Sequence, residues 1–385
     1  MDHLQQSFSV KFEYRIYFTE NLFQPGNTLF HQFLEKGLLS GVRQKIFFVI
    51  DQNVSNAHPP LLESITKYME AYPAVQLAGI LLIPGGEACK NDPSLVDQIL
   101  QAVDKAGIDR HSYLAAIGGG AVLDLVGYVA AIAHRGLRHI RIPTTVLSQN
   151  DSGVGVKNSV NHFGKKNFLG TFAPPVAVFN DHLFLTTLSL RDWRSGIAEA
   201  IKVGLIRDAA FFAWIEEHAT ALIQRDLPVM DILIRRCAEL HLEHIAGGDP
   251  FETGSSRPLD FGHWSAHKLE QLTNFDILHG EAVAMGIALD TFYSGLSGRL
   301  TGNETHRVLS LLQTLGFALT HPLMQVTEPD SPILAGLQEF REHLGGRLTI
   351  MLLRAIGRGE EVHELDPHLL QKAGTALQEL DQLKS

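Results

Sequence analysis

The sequence predicts a two-part chain, in which an α/β half built on a parallel sheet precedes a helical half. Up to about residue 182, short and nearly continuous apolar runs alternate with amphipathic helical patterns, which is typical of buried parallel strands joined by crossover helices. Beyond Leu183, long segments with helical periodicity dominate. We therefore expect an α/β domain over residues 1–182 and an all-α domain over residues 183–385.

Each half contains segments that specify its elements. Ser9–Phe18 alternates apolar and polar residues, which predicts an antiparallel strand with one wet face. Buried strands are predicted at Lys45–Ile50, Gly79–Pro84, Ser112–Gly120 and His139–Thr145, with helices at Pro59–Tyr72 and Asp92–Ala106. In the second half, helices are predicted at Gly196–Ile206, Val229–His244, Ser265–Leu272 and Gly280–Leu296.

Composition excludes several classes of protein. The 385 residues are 45% hydrophobic and 19% charged, which excludes a disordered chain, a collagen and a coiled coil. No apolar run reaches the ~20 residues of a membrane helix, and the first residues do not resemble a secretory signal. Cys89 and Cys237 have neither a disulfide-framework nor a zinc spacing, so a cytoplasmic location is expected. The net charge of −10 argues against nucleic acid as the main partner and requires local cations for any anionic substrate.

Two features of the first half suggest nucleotide binding. Gly118-Gly119-Gly120 ends a predicted strand, where a backbone without side chains can approach a pyrophosphate at the start of a helix. Asp51 ends an earlier predicted strand and could accept a hydrogen bond from a ribose hydroxyl, which would favour NAD over NADP. A tight turn and a turn aspartate are the structural alternatives.

A polar loop, Asp151–Asn167, contains Lys157, Lys165 and Lys166 among glycines and amides. Such loops commonly bind phosphate, although a solvated loop remains possible.

The helical half contains candidate metal ligands. Glu199 and Lys202 are three residues apart on one predicted helix face, and alone they indicate only an ion pair. His263 and His267 stand one helical turn apart, and His279 follows sixteen residues after His263. Two histidines and a glutamate in apolar helical surroundings favour a catalytic metal site with an open position, with core histidines as the alternative.

Together, these segments resemble the dehydroquinate synthase family of sugar phosphate cyclases, and the resemblance extends over most of the chain. The segments that carry it are Gly118–Tyr128, Arg135-Gly136, Ile142–Thr145, Asp151–Gly170, Gly196–Lys202, Gly262–His267 and His279–Gly286. The resemblance implies a Rossmann-like N-terminal domain that binds NAD and a helical C-terminal domain that binds Zn²⁺ or Co²⁺. It implies transient oxidation of the substrate by NAD, elimination of phosphate, return of the hydride and an aldol ring closure.

The resemblance also implies roles for individual residues. The expected NAD-binding residues are Asp51, Asn53, Glu87, Lys90, Gly119, Gly120, Asp124, Thr144, Thr145, Thr187 and Leu188. The expected metal ligands are Glu199, His263 and His279. The expected substrate and catalytic residues are Asp151, Lys157, Lys166, Asn167, Lys202 and His267, with Arg135 reaching the phosphate in the neighbouring subunit of a homodimer.

Departures from the family pattern bear on the substrate. A lysine that binds the substrate carboxylate in dehydroquinate synthases proper corresponds to His241, and an asparagine before the metal motif corresponds to Asp260. Arg257 is a candidate carboxylate ligand displaced by one position. Other differences are Arg341-Glu342 in place of a lysine doublet, and Val156 and Asn158 in place of a glycine and a threonine. The pattern is closer to C7-cyclitol synthases and to the cyclases of ebo-type gene clusters.

We therefore expect a cyclase that acts on a C7 ketose phosphate without a carboxylate, with sedoheptulose 7-phosphate as the leading candidate. A 3-dehydroquinate synthase acting on 3-deoxy-D-arabino-heptulosonate 7-phosphate is the first alternative, because Arg257 could hold a carboxylate. A metal-dependent polyol dehydrogenase is the second alternative, although a neutral polyol needs no lysine-rich loop. A sugar-phosphate-binding protein without catalytic activity is a further possibility.

Overall fold

The computed structural model describes residues 3–247, 251, 260–328, 330–343 and 347–382. The chain forms two compact units. The first, here called the sheet unit, comprises Met1–Pro143 and Val156–Asp181, and the second, the helical unit, comprises Thr144–Gly155 and His182–Ser385. The predicted boundary at residue 182 places segment 144–155 in the α/β half, whereas the packing of the backbone groups it with the helical unit.

The sheet unit is built on a parallel sheet of six strands with the spatial order β1-β8-β5-β4-β2-β3. The strands of this sheet are β1 Arg15–Thr19, β2 Lys45–Asp51, β3 Gln76–Ile83, β4 Tyr113–Gly118, β5 Arg138–Pro143 and β8 Ala177–Asp181. A separate hairpin consists of β6 Lys157–His162 and β7 Lys165–Phe172. The helices of the sheet unit are α1 Leu29–Lys36, α2 Gln52–Ala57, α3 Leu61–Ala71, α4 Pro93–Lys105 and α5 Gly120–Ile132. The parallel α/β architecture predicted for this half is confirmed.

Burial explains why the central strands were predictable and the first one was not. β4 is buried along its whole length, as a strand covered by helices on both faces must be. The predicted antiparallel strand at Ser9–Phe18 is wrong, because only Arg15–Thr19 forms a strand and it pairs in parallel with β8. β1 lies at the edge of the sheet and is only partly buried, and the alternating residues before it, 9–13, are exposed and outside any strand.

The polar segment that was predicted as a loop is largely a β-hairpin formed by β6 and β7. Phe163 and Gly164 connect its strands with φ values of 52° and 69°, the sign that a two-residue type I′ turn requires. Arg141 of β5, which is fully buried, donates hydrogen bonds from Nη2 to Lys157 O at 2.9 Å and to Asn158 Oδ1 at 2.7 Å. These bonds attach the hairpin to the parallel sheet.

The helical unit contains eight helices and one two-stranded antiparallel sheet within the described residues. The helices are α6 Leu190–Arg207, α7 Ala209–Ile223, α8 Leu227–Ala246, α9 His263–Leu272, α10 His279–Leu296, α11 Gly302–Thr314, α12 Ala335–His343 and α13 Pro367–Gln382, and the strands are β9 Ile350–Ala355 and β10 Arg358–Val362. This half is therefore mostly helical, and helical periodicity alone did not predict its strands. No helix in the described part of the chain is long and apolar enough to cross a membrane.

α10 is the central helix of this unit, and it is buried on nearly every side against α6, α9, α11 and α13. Glycines permit its closest contacts. A Cβ atom at Gly286 would lie 2.0 Å from Gly262 O, and one at Gly280 would lie 2.0 Å from Ser195 O. Both distances are shorter than any contact between a carbon and an oxygen allows, so only glycine lets α10 approach the start of α9 and helix α6 this closely.

Replacing Gly286 with alanine should therefore lower the free energy of unfolding by about 3 kcal/mol, because the new methyl group must displace backbone. Gly302→Ala is the matched control, since a Cβ atom there meets nothing within 4 Å. The control should change the free energy by no more than about 0.5 kcal/mol. Urea denaturation compares both variants with the unaltered chain, and equal stability of the two variants would contradict this packing.

Candidate metal and nucleotide sites

Three candidate metal ligands come together inside the helical unit. Glu199 of α6 is fully buried, and its Oε1 lies 3.4 Å from His263 Nε2 and 3.3 Å from His279 Nε2. Ligand atoms about 2.0–2.2 Å from a tetrahedral zinc ion lie about 3.3–3.6 Å apart. The Glu199 oxygen is therefore spaced from each histidine nitrogen as two ligands of one tetrahedral metal ion are.

The other ring nitrogens define how the two histidines are protonated. His263 Nδ1 lies 3.0 Å from Phe261 O, and His279 Nδ1 lies 3.0 Å from Glu270 Oε2. Both oxygens accept hydrogen bonds, so we assign the proton to Nδ1 in each ring and a lone pair to Nε2. Two imidazole lone pairs and a carboxylate oxygen then face one another, an arrangement that repels itself unless a cation lies between them. The donor set fits a divalent metal ion.

His267 adjoins this cluster. One ring nitrogen of each of His263, His267 and His279 lies within 4.8 Å of the others. His267 is one helical turn after His263 on α9, so its imidazole can face the open side of the coordination shell.

Charges around Glu199 stabilise its ionised form. Lys202 forms an ion pair with Glu199 Oε2 one turn along α6, and both side chains are buried. Burial alone would raise the pKa of Glu199, but Lys202 and the two histidines outweigh that effect and hold it well below its ordinary value. Burial would lower the pKa of Lys202, yet Glu199 and Asp151 raise it. The site thus holds a carboxylate and an ammonium group side by side.

Asp151 and His241 form a second pair in this unit. His241 Nδ1 lies 2.8 Å from Asp151 Oδ1. Burial opposes ionisation of Asp151, but Lys202 and His241 lower its pKa. Asp260, which is half-buried, adds a further negative charge that raises the pKa of Lys202. Arg257, the candidate carboxylate ligand, lies outside the described residues.

Two buried carboxylates that the sequence analysis did not identify fix the start of α9 and the ring of His279. Glu270 lies beside His279, and Asp290 of α10 accepts hydrogen bonds from Gly262 N at 3.1 Å and Trp264 Nε1 at 2.9 Å. Gly262 has a φ of 75°, which places a left-handed residue directly before His263. A carboxylate in an otherwise apolar helix, as at Asp290, was the available sequence signal.

A polar cluster also forms within the sheet unit. Lys90 is buried, and its Nζ lies 2.7 Å from Asp124 Oδ2 and 3.2 Å from Ser159 Oγ and contacts Asn167 Oδ1. Burial would lower the pKa of Lys90, but Asp124 and Glu87 outweigh it and raise the pKa. Four predicted site residues, Glu87, Lys90, Asp124 and Asn167, thus share one cluster with Ser159.

The carboxyl ends of the neighbouring strands β2 and β4 contain the other predicted nucleotide residues of this unit. Asp51 caps α2 through Asn53 N at 2.8 Å, and a Cβ atom at Gly85 would lie 2.0 Å from Asp51 Oδ2. Gly119 caps α5 and Gly120 begins it, directly after β4. Parallel sheets bind ligands at this edge, where the free N–H groups of a helix start favour anions.

The remaining predicted residues occupy irregular segments or strand ends. Thr145 Oγ1 lies 2.9 Å from Ser148 Oγ, and Thr144 beside it is buried. Thr187 is the last residue of a short 3₁₀ helix and Leu188 follows it, and Lys157 is exposed at the start of β6. The other two are Arg135, with a φ of 65° after α5, and Lys166, half-buried on β7.

Comparison with known proteins identifies the class that these two units define. The sequence matches the N-terminal domain of 3-dehydroquinate synthase over residues 80–195 and its C-terminal domain over residues 196–334, about two thirds of the chain. The chain belongs to the 3-dehydroquinate synthase family. The resemblance stated from the sequence is confirmed.

Solved structures of cyclitol-forming enzymes are similar over almost the whole chain. ValA, a 2-epi-5-epi-valiolone synthase from Streptomyces hygroscopicus subsp. jinggangensis 5008 with NAD⁺ and Zn²⁺ bound, is 29% identical, with a TM-score of 0.87 over 98% of this chain and 100% of ValA. A 2-deoxy-scyllo-inosose synthase with carbaglucose-6-phosphate, NAD⁺ and Co²⁺ is 21% identical, with a TM-score of 0.77 over 94% of this chain and 96% of its own. Glycerol dehydrogenase from Schizosaccharomyces pombe shares the fold at 15% identity, with a TM-score of 0.61 over 96% of this chain and 90% of its own.

The buried Asp290 predicts a pH dependence of stability. Burial raises its pKa to about 7, above the unfolded value of about 3.9. The folded protein therefore binds more protons than the unfolded chain in this interval. The free energy of unfolding should fall by up to about 1 kcal/mol per pH unit as the pH rises from about 4 to 7, and level off above 7.

Asp290→Asn removes the titrating group while keeping one acceptor oxygen. The difference in stability between the unaltered chain and this variant, measured by urea denaturation from pH 4.5 to 8.5, isolates the contribution of Asp290 from other titrating groups. A difference that does not change with pH would contradict the assignment.

Proposed function

We propose that this protein is an NAD- and metal-dependent sugar phosphate cyclase, a carbon–oxygen lyase that converts a C7 ketose phosphate into a carbocyclic ketone and eliminates phosphate. Sedoheptulose 7-phosphate is the leading candidate substrate. The observation that carries this proposal is the convergence of lone-pair atoms from Glu199, His263 and His279 beside Lys202. Family membership and the similarity to ValA support it.

The metal would be Zn²⁺ or Co²⁺, held by Glu199 Oε1, His263 Nε2 and His279 Nε2. Carboxylate and imidazole ligands suit either ion, and three protein ligands leave a coordination position open. When bound, such an ion polarises a substrate oxygen as a Lewis acid. Lys202 would balance the negative charge of Glu199 and present its ammonium group to a developing oxyanion.

NAD would bind at the carboxyl ends of β2 and β4, with the glycines before α5 and the polar cluster of Lys90 and Asp124 as its contacts. It supplies transient oxidation of a substrate hydroxyl. Asp51 suits a free ribose hydroxyl and would repel the 2′-phosphate of NADP. Its oxygen also caps α2, so the cap holds the carboxylate at the end of β2.

The surroundings of Asp151 favour a substrate without a carboxylate. His241, in the position of a carboxylate-binding lysine, is paired with Asp151, and Asp260 adds negative charge. A buried substrate carboxylate without a cation partner loses about 2–5 kcal/mol of binding. Hydroxyl groups can instead bond to an imidazole and to carboxylates as donors or acceptors.

Phosphate binding is assigned to Lys157, Lys166 and Asn167 of the hairpin, and a separate substrate role is assigned to His267 of the helical unit. The two lysine cations favour a sugar phosphate over the neutral polyol of a dehydrogenase that shares the fold. The proposal includes a homodimer, in which Arg135 reaches the phosphate bound by the neighbouring subunit. It also includes a cytoplasmic location, consistent with the buried free thiols of Cys89 and Cys237.

The test compares phosphate release from sedoheptulose 7-phosphate, 3-deoxy-D-arabino-heptulosonate 7-phosphate and glucose 6-phosphate by the purified protein with NAD and Zn²⁺. We expect the first substrate to have the largest kcat/KM, by at least about 30-fold over the acid. His241→Lys should shift this ratio toward the acid by about tenfold or more, because it introduces a permanent cation. Glu243→Lys, on the exposed face of the same helix, is the matched control and should leave the ratio unchanged.

The outcomes separate the alternatives. Preferential turnover of the acid would identify a 3-dehydroquinate synthase and contradict the proposed substrate. Preferential turnover of glucose 6-phosphate would contradict the C7 assignment. Accumulation of NADH with glycerol and no phosphate release would indicate a polyol dehydrogenase, and inactivity with every compound would contradict the proposed cyclase.

A further inference from the structure

Glu270 is a buried carboxylate that faces the ring of a proposed metal ligand from the side opposite the metal. It lies on α9, seven residues after His263, and its residue exposure is 2%. Its Oε2 lies 3.0 Å from His279 Nδ1. Glu270 is not among the site residues expected from the sequence.

The backbone explains how the two side chains meet. Asn274 and Phe275 both have positive φ values, 49° and 64°, which reverse the chain after α9. Phe275 N donates a hydrogen bond to Glu270 O at 2.8 Å, so the turn is attached to Glu270 itself. The chain then returns to begin α10 at His279, beside the Glu270 carboxylate.

We propose that Glu270 is a positioning residue that accepts a hydrogen bond from Nδ1–H of His279 and thereby directs the Nε2 lone pair of His279 toward the metal. This inference rests on the metal site of the proposed function. A carboxylate partner orients an imidazole, selects the tautomer with Nε2 unprotonated and raises the basicity of that nitrogen. His279 therefore binds the metal as a more strongly donating ligand than a free imidazole.

The two histidines of the site are oriented by different acceptors. His263 Nδ1 is held by a neutral carbonyl, Phe261 O, at 3.0 Å, whereas His279 Nδ1 is held by a carboxylate at the same distance. A hydrogen bond to a charged acceptor is stronger than one to a neutral acceptor. His279 is also the more exposed of the two, with 24% of its side chain accessible against 9% for His263. The stronger hydrogen bond, to Glu270, therefore orients His279, whose ring is less constrained by packing than the ring of His263.

Glu270→Gln keeps the size of the side chain and an acceptor oxygen but removes the negative charge. It should weaken Zn²⁺ binding by about 10–100-fold, as the loss of such a partner typically does. The dissociation constant is measured by competition with a chromogenic chelator, without substrate or NAD. Glu239→Gln, which removes an exposed carboxylate from α8, is the matched control and should bind Zn²⁺ as the unaltered chain does.

A spectroscopic measurement separates orientation of the ligand from a general loss of stability. The visible absorption of the Co²⁺-loaded protein reports the ligand field, and Glu270→Gln should shift or weaken it while the metal-free variant keeps its helical circular dichroism. If Glu270→Gln does not fold, Glu270→Asp replaces it, since that variant keeps the charge but withdraws it from His279. It should weaken Zn²⁺ binding measurably and alter the Co²⁺ spectrum.

Unchanged Zn²⁺ affinity and an unchanged Co²⁺ spectrum in the folded variant would overturn this inference. His279→Ala distinguishes that outcome from failure of the proposed metal site. If the unaltered chain binds Zn²⁺ and His279→Ala does not, the metal site stands and only the role of Glu270 is at issue. If the unaltered chain binds no Zn²⁺, the proposed function and this inference both fail.

Discussion

The helical unit is organised around a carboxylate that is buried completely in a charged state. Moving Glu199 out of water costs several kcal/mol, which only opposite charges and hydrogen-bond donors close to it can offset. Lys202 supplies one such charge on the same helix, and the histidines that begin α9 and α10 complete the surroundings. This requirement explains why α6, α9 and α10 must pack closely where Glu199 is buried.

The packing of the helices serves the same requirement. Gly262, Gly280 and Gly286 let backbone atoms approach where any side chain would separate the helices. Asp290 then secures the first turn of α9, and Glu270 holds the ring at the start of α10. Close backbone contacts thus set the distance between the helices, and buried carboxylates fix the ring of His279 and the start of α9.

The sheet unit also contains a buried charge that requires partners close to it, here the cation of Arg141. Arg141, without exposure in the sheet, donates to both the backbone and the side chain at the start of β6. The backbone of Lys157, Lys166 and Asn167 therefore lies in a strand pair rather than in a loop.

Local pattern was enough to predict the central strands of the parallel sheet and several helices, because apolar periodicity is a local signal. It also selected Glu199, His263 and His279 as candidate metal ligands, and the fold brings these three side chains together. Local sequence pattern did not predict structure that depends on a contact with a residue distant in the chain. The pairing of β1 with β8 and the attachment of the hairpin to Arg141 depend on partners far along the sequence. Glu270 has the sequence pattern of an ordinary helix residue, and only the fold places it beside His279. Asp290 stands out as a carboxylate in an apolar helix, but its contact with the start of α9 also follows only from the fold.

The most direct test of the central claim is anomalous X-ray scattering from crystals grown with Zn²⁺, with data collected on both sides of the zinc absorption edge. Glu199 Oε1, His263 Nε2 and His279 Nε2 should each lie about 2.0–2.2 Å from a single anomalous peak in the helical unit. A peak that is absent from this position, or that is bound by His267 while Glu199 stays with Lys202 alone, would contradict it.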